Sequence, residues 1–208
     1  MLAASSRVAR VNSQPHSLFV GVRGIKRQLR YTPDIEAYVH SSFLEELLSG
    51  RPLFEIVADP FNRSFTLDEA LRVVFEMKAT QDKSLDDPSA ETKMRIVKAI
   101  YAHVGQPFLV LSERPHINTD FLTIITDLEA GARDNVGALE RSRALFAFGR
   151  ERCMAFGPLS EVLGGQPSGE RLVKALHFKQ FLSIDLRRGL FRDTPVWLTR
   201  EAEFGRDV

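Results

Sequence analysis

The stretch 72–112 has the fewest conformational options in the chain. RVVFEMKA is β-branched and aromatic and alternates cleanly, so Val73, Phe75 and Met77 share one face while Val74, Glu76 and Lys78 share the other. This predicts a strand over 72–79, entered through one helical turn at 67–70 that Thr66 and Glu69 cap by their spacing. Asp87 and Pro88 then suit the cap and first position of a helix. Met94, Val97, Ile100, Tyr101 and Val104 recur at helical spacing, and Gly105 can end the helix. PFLVLS, 107–112, is a compact apolar strand. Strand, helix, strand is a crossover unit, which calls for parallel pairing and a right-handed connection.

Upstream, residues 16–31 read as a hairpin turning at Gly24, with Ile25, Arg27, Leu29 and Tyr31 alternating against Lys26, Gln28 and Arg30. Pro33 interrupts the ladder and Ile35–Val39 resumes it as a strand. Ser42 and Glu45 have capping-box spacing and open a short helix, FLEELL, which Gly50 ends. LFEIVA, 53–58, reads as a further strand. Downstream, helices are expected at about 117–130 and 135–151. From Gly157 the pattern is a short helix, a second helix capped by Ser168, then short strands in LSIDL and PVWLT. That order is the plan of a winged helix.

Composition excludes several classes. Of 208 residues, 44% are hydrophobic and 26% charged, so the chain is globular rather than collagenous or disordered. No apolar run approaches the roughly 20 residues that span a bilayer. MLAASSRVAR lacks the apolar core of a signal peptide, and a cytoplasmic protein is the expectation. A single cysteine, Cys153, excludes an internal disulfide and a cysteine-rich zinc site. It is expected to be a small buried hydrophobe. The five histidines, His16, His40, His103, His116 and His177, show no ligand spacing and are expected to be structural or superficial. The phosphate-binding loop, the dinucleotide glycine fingerprint, HExxH, GxSxG and CxxC are all missing from the sequence.

The net charge of +1 hides a segregation. Residues 1–34 carry six bases and one acid, whereas 35–92 carry five bases and twelve acids. A basic segment beside an acidic one is compatible with a polyanion close to a divalent-metal site.

Two motifs carry candidate chemistry: Pro33-Asp34 just after a strand, and Glu76-Met77-Lys78 on the strand that enters the crossover. Together they spell the P-D…(D/E)-x-K signature of restriction-endonuclease-like nucleases. Phosphodiester hydrolysis needs a hard cation, Mg²⁺ or Mn²⁺, held by carboxylates and a carbonyl. A lysine two residues beyond a carboxylate shares its face only on a strand. It is then placed to orient the attacking water or stabilise charge on the phosphate. Forty-one residues separate Asp34 from Glu76, so an insertion over about 36–71 must fold beside the sheet.

Gln14-Pro15, FVGVRGIKRQLRYTPDI, FEMKA and GQPFLVLSERPHINTDFL resemble the nuclease domain of TnsA-type transposon endonucleases over about residues 11–122. The tail, LVKALHFKQFLSIDLRRGLFRDTPVWL, is similar to the winged-helix-like end of family members. The resemblance implies a restriction-endonuclease-like mixed α/β core at 1–115 and a helical, winged-helix-like region at 116–208. It implies that Asp34 and Glu76 bind Mg²⁺ with the Met77 carbonyl, that Lys78 is catalytic and that Gln14 supports the site. It further implies nicking of the 5′ side of transposon ends in double-stranded DNA, together with a partner transposase and an ATP-dependent regulator. Arg23, Lys26, Arg27 and Arg30 in the hairpin, and Arg171, Lys174 and Lys179 on the late helix, are the expected DNA contacts. The family carries a catalytic glutamate on a helix before its QP motif, and no acid precedes Asp34 here. The expectation is therefore low activity for residues 1–208 alone. An adaptor subunit that has lost cutting, and a phage or restriction-type nuclease, are the alternative readings.

Overall fold

The computed structural model describes residues 1–21, 28–79 and 88–199. A 3-10 turn at Leu2–Ala4 leads into β1 (Val8–Ser13); β2 (Leu18–Val20), β3 (Leu29–Tyr31) and β4 (Ile35–Val39) follow. Next come α1 (Ser41–Leu48), α2 (Leu53–Ala58), a 3-10 turn at Leu67–Glu69, and β5 (Leu71–Lys78). The crossover is completed by α3 (Pro88–His103) and β6 (Phe108–Ser112). The rest is α4 (Glu113–His116), α5 (Thr119–Glu129), α6 (Ala138–Phe148), β7 (Cys153–Ala155), α7 (Phe156–Val162), α8 (Ser168–Phe178), β8 (Leu182–Ile184) and β9 (Pro195–Leu198).

The chain is a mixed α/β fold. Its main sheet has the order β1-β4-β5-β6, antiparallel at the first two interfaces and parallel at the last. The parallel pairing follows from the crossover through α3, as the alternation of 72–79 and the helical spacing of 94–104 predict. β2 and β3 form the predicted antiparallel hairpin, with Leu18 opposite Tyr31. The expected turn at Gly24, and the expected cap at Asp87, lie outside the described residues. Gly105 has φ +67, a left-handed conformation that a glycine adopts without steric cost as it ends α3.

The two faces of the main sheet have different fates. Ala37, Val39, Val73 and Phe75 point into a large core shared with α1, α2, α5, α7 and α8. Val74 points the other way, into a small cluster with Tyr31, Val97 and Tyr101. Glu76 and Lys78 lie on that second face, beneath α3 and beside the hairpin. The large core is contiguous from Leu2 to Leu198.

Several local expectations need correction. Leu53–Ala58 is a helix, not a strand: Leu53, Ile56 and Val57 are buried at i, i+3 and i+4, which a six-residue apolar run conceals. The N-cap of α1 is His40, whose Nδ1 accepts the Ser42 N–H at 3.3 Å, so the Ser42–Glu45 box does not form. Ser168 is the first residue of α8 rather than its cap, a position taken by Pro167. Asn118 caps α5, accepting the Phe121 N–H at 3.1 Å. β1 and β7 were not expected. Cys153 is exposed, on a short strand that pairs with β9, and is not the buried hydrophobe expected.

The segment before β1 is an integral part of the interior. Leu2, Ala4, Ser5, Ser6, Arg7 and Val8 are all buried. The fully buried His177 ring places Nε2 2.7 Å from the Ala4 carbonyl and accepts the Ile184 N–H on Nδ1 at 3.2 Å. Arg7 reaches Glu46 at 2.5 Å and lies over the Phe61 ring. Helices α7 and α8 cross at Gly169, where a Cβ would come within 1.9 Å of the Ser160 carbonyl oxygen, so only glycine permits the contact.

Candidate active site

The β4–β5 register pairs Ile35 with Phe75 and Glu36 with Val74. Extending it by one residue sets Asp34 opposite Glu76. The ladder does not continue through backbone bonds there; the Asp34 side chain replaces it, with Oδ2 accepting the Met77 N–H at 2.8 Å. Pro33 explains the change, because it bends the chain out of the ladder just before Asp34. The proline in the motif thus turns a strand end into a position where a carboxylate faces the next strand.

Glu76 is 8% exposed, and both its carboxylate oxygens are engaged. Oε2 accepts the Tyr31 hydroxyl at 2.5 Å, and Oε1 lies 3.3 Å from Lys78 Nζ. Two-residue spacing on a strand puts Glu76 and Lys78 side by side, as the alternation requires. Burial, then the hydrogen bond to Glu76, pushes the Tyr31 phenol far above its ordinary range, so it stays a neutral donor.

Gln14 lies next to this site through its backbone. Its N–H donates to the Asp34 carbonyl at 2.9 Å, closing the β1–β4 ladder, and its φ of +45 turns the chain away from the sheet. The Gln14 side chain is exposed.

Behind the two carboxylates is a second polar group, built on Glu36, whose partners no local sequence pattern reveals. Glu36 is 4% exposed and is bound by the Arg72 Nε at 2.6 Å and the Asn12 amide at 3.1 Å. Burial alone would raise its pKa, but the hydrogen bonds from Arg72 and Asn12 prevail and hold it below the usual carboxylate range. His16 joins the group, with Nδ1 3.9 Å from Glu36 and Nε2 2.8 Å from the Tyr101 hydroxyl. Glu36 is thus already committed to protein donors. Its position two residues after Asp34, on the same face, was the one available signal.

The predicted DNA contacts fall into three groups. Arg23, Lys26 and Arg27 lie outside the described residues. Arg30 is exposed at the hairpin, its guanidinium 5.7 Å from the Phe19 ring centre. On α8, Arg171 pairs with Asp134 at 2.6 Å, and Lys174 is buried and pairs with Asp127 at 2.6 Å. Gly131 packs directly against the backbone of Arg171 and the Cβ of Lys174. Lys174 is thus turned inward, whereas Arg171 is exposed and paired with Asp134; Lys179, at the helix end, is exposed and carries no ion pair in the described residues.

As a donor set, Asp34, Glu76 and the Met77 carbonyl are all hard oxygens, the chemistry that Mg²⁺ or Mn²⁺ prefers. Among the described residues no group of three or more His, Cys, Asp or Glu side chains is arranged to hold a metal. A cation here would therefore rest on two carboxylates, the main chain and water. Among the described residues, no helix is long and apolar enough to cross a membrane. No protein-family model matches the sequence, and no curated protein matches it.

Proposed function

We propose that this chain is a divalent-cation-dependent DNA endonuclease of the TnsA type, nicking the 5′ side of transposon ends in concert with a transposase and an ATP-dependent regulator. The observation that carries this reading is the convergence of the Pro33-Asp34 and Glu76-Met77-Lys78 motifs. The Asp34 carboxylate accepts the Met77 N–H at 2.8 Å, beside Glu76, and Lys78 Nζ lies 3.3 Å from the Glu76 carboxylate. Asp34, Glu76 and the Met77 carbonyl would hold Mg²⁺ or Mn²⁺. When bound, that ion supplies positive charge against the negative charge that develops on the phosphate in hydrolysis. Lys78 presents its ammonium on the same face, where it orients the attacking water or the scissile phosphate. Glu36 ties β4 to β5 through Arg72 and to β1 through Asn12.

The DNA-binding half of the reading is supported by the order α6, β7, α7, α8, β8, β9 and by the sheet order β7-β9-β8, the connectivity of a winged helix. The burial of Lys174 and the engagement of Arg171 by Asp134 argue for contacts through the hairpin, Lys179 and the β8–β9 loop instead.

An adaptor that keeps the fold without cutting is the second reading. The commitment of Glu36 to Arg72 and Asn12, which leaves only two carboxylates for a cation, favours it. A nicking assay on duplexes carrying transposon ends, with Mg²⁺ or Mn²⁺, separates the two. Cutting that disappears in Asp34→Asn and Glu76→Gln variants that remain folded supports the nuclease. DNA binding with no cutting under any cation supports the adaptor.

A further inference from the structure

Tyr31 makes two contacts at the candidate active site, one with its hydroxyl and one with its ring. The O–H donates to Glu76 Oε2 at 2.5 Å, and the ring carries the ammonium of Lys93, whose Nζ lies 5.5 Å from the ring centre. Lys93 belongs to α3, four residues before Val97 and eight before Tyr101, and so shares their face of the helix. Val97 and Tyr101 are buried in the small cluster with Tyr31 and Val74, and Lys93 is half-buried beside them. Such a placement lets the stem cover apolar surface while the ammonium ends over the Tyr31 ring. The two cations that β5 contributes to this face of the sheet are committed, Arg72 to Glu36 at 2.6 Å and Lys78 to Glu76 at 3.3 Å. Lys93 has no hydrogen bond or ion pair among the described residues.

Resting on the reading of Asp34, Glu76 and Lys78 as the place where DNA is cut, we propose that Lys93 is a DNA-contacting residue that binds a phosphate next to the scissile one. Lys78 touches Glu76 directly and is the lysine placed for the scissile phosphate. Tyr31 is interposed between Glu76 and Lys93, which sets the second ammonium apart from the first. The ring attracts the ammonium but occupies none of its three N–H donors as a carboxylate would. Lys93 is therefore a held charge with donors to spare, and a DNA phosphate is the anion that the neighbouring site would bring to it. A compact ammonium with rotatable donors suits a phosphate oxygen whose direction is not fixed in advance. The Tyr31 ring fixes where that charge stands before DNA arrives.

The test is the salt dependence of binding, read by fluorescence anisotropy of a fluorescein-labelled DNA duplex titrated with the full chain in KCl, without divalent cation so that no strand is cut. The chains compared are the wild type, Lys93→Met and Lys93→Arg. Lys93→Met keeps an unbranched stem over the ring and loses the charge. It is expected to flatten the slope of log K against log salt by about 0.9, so that its affinity falls about three- to fourfold less than that of the wild type between about 50 and 200 mM KCl. Lys93→Arg keeps the charge and is expected to match the wild-type slope. Should Lys93→Met fail to fold, Lys93→Gln takes its place with the same expectation. An unchanged slope in the folded neutral variant, or a slope flattened equally in Lys93→Arg, overturns the role of Lys93 and leaves DNA binding by the chain standing. Absence of salt-dependent duplex binding in the wild type overturns the DNA reading and this inference with it.

Discussion

Ser6 and Ser183 are 177 positions apart and share a 2.7 Å hydrogen bond between their hydroxyls. The Ser183 hydroxyl also accepts the Phe61 N–H at 2.7 Å, so one buried oxygen ties the segment before β1, the stretch after α2 and β8 together. Ser183→Ala removes that oxygen and orphans a buried backbone N–H. The expected loss is about 1–3 kcal/mol, larger than for Ser6→Ala, which leaves the Phe61 bond in place. Urea unfolding of the two variants would show the difference; equal losses would mean that the Phe61 bond contributes nothing.

Lys78→Ala should separate chemistry from binding. If its ammonium acts at the phosphate in the transition state, turnover falls by about a hundredfold while DNA affinity changes little. Single-turnover nicking alongside an equilibrium binding assay gives both numbers. Parallel decreases would reduce Lys78 to an ordinary phosphate contact.

Salt dependence should distinguish the basic groups. Each phosphate contact contributes a slope of about −0.9 in log K against log salt. Neutralising Arg23, Lys26, Arg27 and Arg30 together should flatten the slope by the number of contacts they make. Lys174→Met should leave it unchanged, because Lys174 is buried against Asp127. A flatter slope for Lys174→Met would mean that α8 swings outward to meet DNA.

The buried His177 ring predicts an acid sensitivity of its own. Burial holds its pKa below the ordinary histidine value despite the hydrogen bond to the Ala4 carbonyl. The unfolded chain therefore binds the proton more readily than the folded one. The neutral form's stabilisation is complete above about pH 6.5 and is lost as pH falls below it, with a slope approaching about 1.4 kcal/mol per pH unit. His40 and His116 are shifted the same way by burial and add to the effect. The carboxylates held low, such as Glu46 and Asp185, lose their contribution only at more acid pH. His177→Gln should lower stability at pH 7.5 yet flatten its decline between pH 6.5 and 5. An unchanged decline would assign the sensitivity to the other histidines.

Strand β5 was legible because β-branched and aromatic residues alternate through it, and that alone placed Glu76 and Lys78 on one face. The β4 strand was equally plain once Pro33 was read as a ladder break. α2 was misread because LFEIVA is apolar throughout, and its helical burial at Leu53, Ile56 and Val57 emerges only against the tertiary core. β1 was missed because VARVNS has no clean alternation; its strand character comes from β4, which runs beside it. The Tyr31–Glu76 bond, the Glu36–Arg72–Asn12 group and the Lys174–Asp127 pair join residues far apart in sequence, and no local pattern encodes such partners. Tyr31 nevertheless stood in view, three residues before Asp34.

The buried position of residues 2–8 has a consequence for the order in which the molecule is completed. Their partners include His177, Gln180 and Ser183, close to the far end of the described chain. During synthesis residues 2–8 must wait for partners up to 177 positions further along the chain before they can be covered. β1 can meet β4 early, but Leu2, Ala4 and Ser6 remain wetted until α8 and β8 arrive. Closure of the interior is thus a late, long-range event, the kind of contact that slows folding relative to local pairing.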